Sequence, residues 1–268
     1  MKTLKYFLAL CGICLGTTLP GWAGDSIQVR VALVQAHLAW GDVDKNLEAF
    51  GKRVKECKDC DVIVFPELFT SGCEMKKQPG DSGKVDKKAE VASRYDEILA
   101  RMKGWARQTG ALIMGSTIYC EAGKYYNRLL AVYPDGDYRS YDKHNCFKKG
   151  SFSPGTEHLV LTWKQVRFST YICYDLRFSE WSRNEDTYDI AIYVANWPES
   201  RSADWNRLLV ERARENEAYV VAVNCAGTDP AGIVYRGDSG VFTPEGYLQL
   251  RSHDYADEVL KTDIKLVR

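Results

Sequence analysis

Short apolar runs of strand length recur along this chain, and between them lie stretches whose apolar residues fall three and four apart. That alternation constrains the fold more than any other feature. Residues 29–34, 61–65, 111–118, 128–133, 166–172, 190–194 and 220–224 read as strands, with shorter strands and Gly/Pro turns from 232 to 263. Asp42 is placed to cap a helix carrying Leu47, Phe50, Val54 and Cys57 on one side. Residues 91–106 read as one helix with Ile98, Met102 and Trp105 on a stripe, and residues 205–217 as another with Trp205, Leu208, Leu209 and Ala213. Residues 134–137, Pro-Asp-Gly-Asp, make a turn between strands. Mixed strands and helices of this kind predict an α/β domain in which helices cover sheet faces.

With 268 residues the chain is long enough for one large core. Lys plus Arg equals Asp plus Glu at 36 each, which gives no basis for nucleic acid or an anionic membrane as partner. The N-terminus stands apart. Lys2 and Lys5 precede an uncharged apolar run over 6–19, and Gly21 and Ala23 follow at small-residue spacing. This is the order of a signal peptide over residues 1–23, too short to span a membrane comfortably, and it leaves 24–268 as a single domain. The expectation is export, periplasmic or secreted, if the signal functions, and a cytoplasmic protein otherwise. Cleavage after Ala23 removes two lysines and no acid, so the charge becomes 34 − 36 = −2.

Cys11 and Cys14 fall in the signal, leaving seven of nine cysteines, an odd and scattered set unlike a disulfide scaffold. Cys57 and Cys60 form a lone CxxC in a chain with four histidines, so a helix end is expected there rather than a metal site.

Three strands share one design, each delivering a reactive side chain at its C-terminal end: Val62–Phe65 leads to Glu67, Tyr141-Asp142 to Lys143, and Thr170–Ile172 to Cys173. Together a carboxylate, an ammonium and a thiol suffice for acyl transfer. The cysteine attacks as thiolate, Glu67 takes and returns the proton, and Lys143 with the backbone N–H of Tyr174 receives the oxyanion. No metal or organic cofactor is needed. Singly, each residue has a bland reading: a core cysteine, a solvated lysine, a loop glutamate. Arg177 and Arg201 fit a substrate carboxylate or a structural salt bridge equally well in kind. Trp197 and Phe147 fit a pocket wall or the core. Pairing His144 with the cysteine would leave Glu67 and Lys143 unemployed.

The segments F-P-E at 65–67, Y-D-K at 141–143 and C-Y-D-L-R-F at 173–178 resemble the signatures of the nitrilase superfamily of carbon–nitrogen hydrolases. Tyr193–Pro198, Arg212–Tyr219 and Arg236–Ser239 extend the resemblance over nearly the whole chain after the signal. It implies a four-layer α-β-β-α sandwich, commonly a homodimer, and a Glu67–Lys143–Cys173 triad. Among branches, the chain is most similar to omega-amidases, which hydrolyse the terminal amide of small substrates such as 2-oxoglutaramate, giving 2-oxoglutarate and ammonia. Another C–N substrate, an N-carbamoyl amino acid or a deaminated peptide amide, is an alternative. One departure stands out: residues 144–155 are about four fewer than the resemblance implies and contain no acid, so the accessory glutamate of the family is missing, and Glu157 lies beyond the turn. That loss opens a third reading, a catalytically weakened binding protein on the same fold.

Overall fold

Ten residues rich in Val and other apolar side chains, β1 (Ser26–Gln35), begin the described part of the chain. The computed structural model describes residues 26–73, 86–147 and 151–267, so the segment read as a signal lies outside the described residues. Asp42 accepts the Lys45 N–H on its side chain and starts α1 (Val43–Lys55), which buries Leu47, Phe50 and Val54. Then come β2 (Val62–Val64), α2 (Lys87–Ser93), α3 (Tyr95–Thr109), β3 (Leu112–Glu121), β4 (Lys124–Val132) and β5 (Tyr138–Asp142). The second half holds β6 (Val160–Trp163), β7 (Val166–Ile172), β8 (Ile190–Ala195), α4 (Ser202–Glu215), β9 (Tyr219–Asn224), β10 (Ala226–Thr228) and β11 (Val234–Arg236). It ends with β12 (Gly240–Phe242), β13 (Leu248–Arg251) and β14 (Glu258–Val267).

Two six-stranded sheets result, in the orders β14-β1-β2-β3-β4-β5 and β13-β12-β9-β8-β7-β6. Each has three parallel strands at its centre, β1-β2-β3 and β7-β8-β9, flanked by antiparallel ones. The sheets pack face to face through Val31, Leu33, Val62 and Val64 on one side and Phe168, Ile172, Ile192 and Val223 on the other. Alternate residues point outward, as the pleat requires: Ala32 and Val34 meet Phe50 and Trp105 of the helices over the first sheet, and Tyr193 and Ala222 meet Trp205 and Leu209 of α4 over the second. The order of layers is therefore α-β-β-α. Strands buried on both faces explain the near-continuous apolar runs of the sequence. Each fully buried side chain contributes roughly 1.5–3 kcal/mol.

Two elements depart from expectation. The single helix expected over 91–106 is two, broken at Arg94, whose backbone leaves the helix at φ −96°, ψ 10°. Its guanidinium is held by Asp44 of α1 and Glu97 of α3, and the bend lets α2 lie on β3 while α3 also packs against α1. The tail holds the expected short strands β11, β12 and β13 but ends on a long one. β14 is ten residues long, pairs with β1 throughout and returns to the first sheet, but as an edge strand it buries only Leu260 and Ile264 and so carries a weak apolar pattern.

Cys57 and Cys60 are buried free thiols in the turn after α1, and no group of three or more His, Cys, Asp or Glu side chains among the described residues is arranged to hold a metal. No helix among them is long and apolar enough to cross a membrane.

Candidate active site

β2 pairs beyond its formal end, Phe65 N–H donating to Met114 O, and so carries Pro66-Glu67 to the edge of the sheet core. Leu68 then turns left-handed (φ 45°) and donates its N–H to Ser116 Oγ at 2.7 Å, which fixes the glutamate from behind. Lys143 follows β5 directly. Its N–H donates to Asn127 O and its carbonyl accepts from Gly155 N–H, both at 3.0 Å. That second contact requires a glycine, because a Cβ at 155 would stand 2.2 Å from Asp142 O. Cys173 follows β7 in the left-handed region (φ 49°), a conformation costing an L-residue roughly 1–2 kcal/mol. It opens a 3-10 turn over Cys173–Arg177, and the first N–H groups of such a turn, Tyr174 among them, have no acceptor within it.

The structure brings Glu67, Lys143 and Cys173 together at one cavity of about 220 Å³. Glu67 and Lys143 are 4% and 5% exposed. Glu67 Oε1 accepts from Lys143 Nζ at 2.7 Å and from Asn127 Nδ2 at 2.8 Å, while Oε2 accepts from Asn196 N–H at 2.8 Å. Burial works against the Lys143 ammonium, but the carboxylate of Glu67, helped by Cys173 and Asp175, outweighs it and holds the lysine pKa above its ordinary value. For Cys173 the balance runs the other way. Burial first, then the charge of Glu67, push the thiol pKa well up, and Lys143 only partly opposes them. The folded environment therefore favours the thiol form of Cys173.

A buried network ties the lysine and cysteine loops together. Asp175, with its pKa raised by burial, accepts from Ile172 N–H (3.0 Å), Asn145 N–H (2.7 Å) and Tyr141 O–H (2.8 Å). Trp181 Nε1 donates to the same tyrosine oxygen at 2.9 Å. Asp175 is thus the second carboxylate acting on Lys143, and it comes from the cysteine turn; Glu157 is exposed. His144 lies off the cavity, stacked on Trp181 at 3.5 Å with Nδ1 on Gly155 O.

The remaining sequence candidates separate. Phe147, Trp197 and Arg201 line the cavity. Phe147 is half-exposed and meets Tyr174 edge-on, and the Arg201 guanidinium sits 4.7 Å over its ring with no carboxylate partner among the described residues. Trp197 is buried and donates its indole N–H to Arg201 O. Arg177 is not in the lining: it pairs with Asp204 at 2.9 Å and lies 4.9 Å over the Trp197 ring. Sequence reasoning missed Asn127 and the role of Asn196, and also Tyr235, which lines the cavity and donates its hydroxyl to Asp229 Oδ2. Asn196 stands in the Tyr193–Pro198 run that signalled the family, so a signal existed for it; an asparagine inside β4 gives none.

Comparison with known proteins identifies the family. The carbon-nitrogen hydrolase family model matches residues 30–268. The chain is 39% identical over 223 residues to the omega-amidase YafV of Escherichia coli K12, covering 81% of this chain and 82% of that one. It is 28% identical to the 2-oxoglutaramate amidase of Bacillus subtilis over 81% and 83% of the two chains. The crystal structure of XC1258 from Xanthomonas campestris, a CN-hydrolase superfamily protein with an arsenic adduct in its active site, superposes with a TM-score of 0.80 at 31% identity over 89% and 91% of the chains. Saccharomyces cerevisiae Nit3 shares the fold with a TM-score of 0.76 at 21% identity over 88% and 89%. The chain thus belongs to the carbon–nitrogen hydrolases of the nitrilase superfamily and is a hydrolase acting on C–N bonds.

Proposed function

We propose that this hydrolase cleaves the terminal amide of a small carboxylate-bearing acid, in the manner of an omega-amidase, through a thioester on Cys173. Glu67 accepts the thiol proton as sulfur attacks the amide carbon. The oxyanion is received by Lys143 Nζ and the Tyr174 N–H, both from residues that line the cavity. Glu67 then gives its proton to the nitrogen, the C–N bond breaks and ammonia leaves. A water that loses a proton to Glu67 attacks the thioester carbon, and the acid departs as the proton returns to sulfur.

The observation that carries this reading is the convergence of Lys143 and Cys173 on Glu67 in a cavity whose rim holds an arginine, Arg201, without an acidic partner among the described residues. Such a guanidinium suits the substrate's carboxylate. The names of the Escherichia coli and Bacillus subtilis relatives make 2-oxoglutaramate the first substrate to try. Export and homodimerisation belong to the same proposal, resting on the N-terminal pattern and the family resemblance; N-terminal sequencing and light scattering test them.

The test is ammonia release from 2-oxoglutaramate, N-carbamoyl amino acids and simple amides, beside Cys173→Ala. Turnover of 2-oxoglutaramate that vanishes in the variant supports the proposal, and a preference for the N-carbamoyl compounds moves it to another substrate. Absence of turnover from folded, reduced protein would favour the weakened binding protein, with the acid-free 144–155 stretch as its cause.

A further inference from the structure

Asn196 ends the run of β8 into the cavity, and its two functional parts are used unequally. The backbone N–H is committed to Glu67 Oε2 at 2.8 Å. The side-chain carboxamide has no hydrogen-bond partner among the described residues at Oδ1 or at Nδ2, although the residue lines the cavity and is only 6% exposed. Asn127, on the same cavity, gives its Nδ2 to Glu67 and leaves its Oδ1 without a partner among the described residues. Buried polar side-chain atoms are paired in the large majority of cases, so unpaired ones at a cavity wall call for a partner that arrives from outside the protein.

Counting acceptors at Glu67 indicates which partner. A carboxylate has about four acceptor positions. Lys143 Nζ, Asn127 Nδ2 and Asn196 N–H take three, and in the proposed reaction the fourth must receive the proton of Cys173, which lines the same cavity. A substrate –CONH2 brings two N–H donors into this site, and with the remaining position of the carboxylate reserved for the thiol proton Glu67 has none to spare for them. Another acceptor is needed, close to Glu67 and not already used.

We propose that the Asn196 carboxamide reads the leaving –NH2 of the substrate, its Oδ1 accepting one N–H, and thereby selects unsubstituted primary amides over esters of the same acid. The inference rests on the amidase reading above and makes Asn196 a specificity-determining residue for it. An ester offers no N–H, so it gains nothing from the asparagine. The N–H groups are also present only until the thioester forms. Their effect therefore falls on acylation, the stage that kcat/KM reports, and not on release of the acid.

Replacing the side chain leaves the backbone N–H on Glu67, so the carboxamide is tested alone. The measurement is kcat/KM of the full chain, of Asn196→Leu, which fills the space without polarity, and of Asn196→Ala, on a primary amide and on the methyl ester of the same acid. The expected result is a fall of about tenfold or more with the amide and a change within about twofold with the ester. The amide-to-ester ratio is internal to each sample, so a partly misfolded variant still reports. Equal losses on both substrates would overturn the proposal and leave the amidase reading standing. Ester hydrolysis with no amide turnover by the unaltered chain would defeat both, and that pattern is distinguishable from the first.

Discussion

Glu67, Lys143 and Cys173 stand at the ends of β2, β5 and β7, with the glutamate and lysine almost fully buried and bonded to each other and to neighbouring asparagines. Phe147, Arg201 and Ile233, on the rim of the same cavity, come from the connections after β5, before α4 and between β10 and β11, and all three are exposed. The floor is part of the protein core as much as of the site, so its side chains carry stability and chemistry at once. The rim is free to vary without disturbing either sheet. On the proposed reading the bond cleaved is chosen at the strand ends, Asn196 included, and the remainder of the substrate at the loops.

The sharpest way to break that division is Lys143→Met. Loss of the oxyanion donor is expected to lower kcat/KM at least about a thousandfold. Because the substitution also strands the buried Glu67 carboxylate, it should cost roughly 3 kcal/mol of stability. Adding Glu67→Gln removes the stranded charge, so the double variant should regain most of the stability and none of the activity. Urea unfolding beside ammonia release checks both halves. A Lys143→Met protein as stable as the parent would show that the floor is not built into the core.

Arg201→Ala examines the rim. KM for amides bearing a carboxylate should rise about tenfold with kcat little changed, as expected for lost uniform binding, while neutral amides should be unaffected. Stability should stay within about 0.5 kcal/mol, as for a surface substitution away from the core. Added salt should weaken the parent's preference for charged substrates in the same direction. Equal effects on charged and neutral amides would remove Arg201 from carboxylate recognition.

The same division explains what was legible in the sequence. Strands buried on both faces write themselves as continuous apolar runs, so β1, β7, β8 and β9 could be read directly, and Cys173 with β7. An edge strand such as β14 and a helix broken by one arginine's ion pairs, α2 and α3, leave little local pattern. Asn127 illustrates the limit: its Nδ2 reaches Glu67, 60 positions away, and only the sheet register makes them neighbours. Arg177 and Arg201 have the same chemistry on paper. What separates them is Asp204, which lies against the first and not the second.

Asp175 belongs to neither region. It lies beneath the floor, joining the cysteine turn to the lysine loop through Ile172, Asn145 and Tyr141. Burial raises its pKa above the ordinary 3.8. The folded protein therefore binds this proton more tightly than the unfolded chain does. Its contribution to stability is complete below the unfolded value and is lost as pH rises through the raised one. Asp175→Asn cannot ionise, but it gives up an acceptor oxygen, so it should be the less stable protein at about pH 4. As pH climbs through the window that opens there, the parent should lose stability that the variant does not, and the gap should narrow. Urea midpoints for both proteins at a series of pH values decide it. The expected effect is smaller than the two above, a change of slope rather than of level. A gap that stays constant or widens would mean that Asp175 remains ionised in the fold throughout, and that the charge beneath Lys143 is a permanent part of the site.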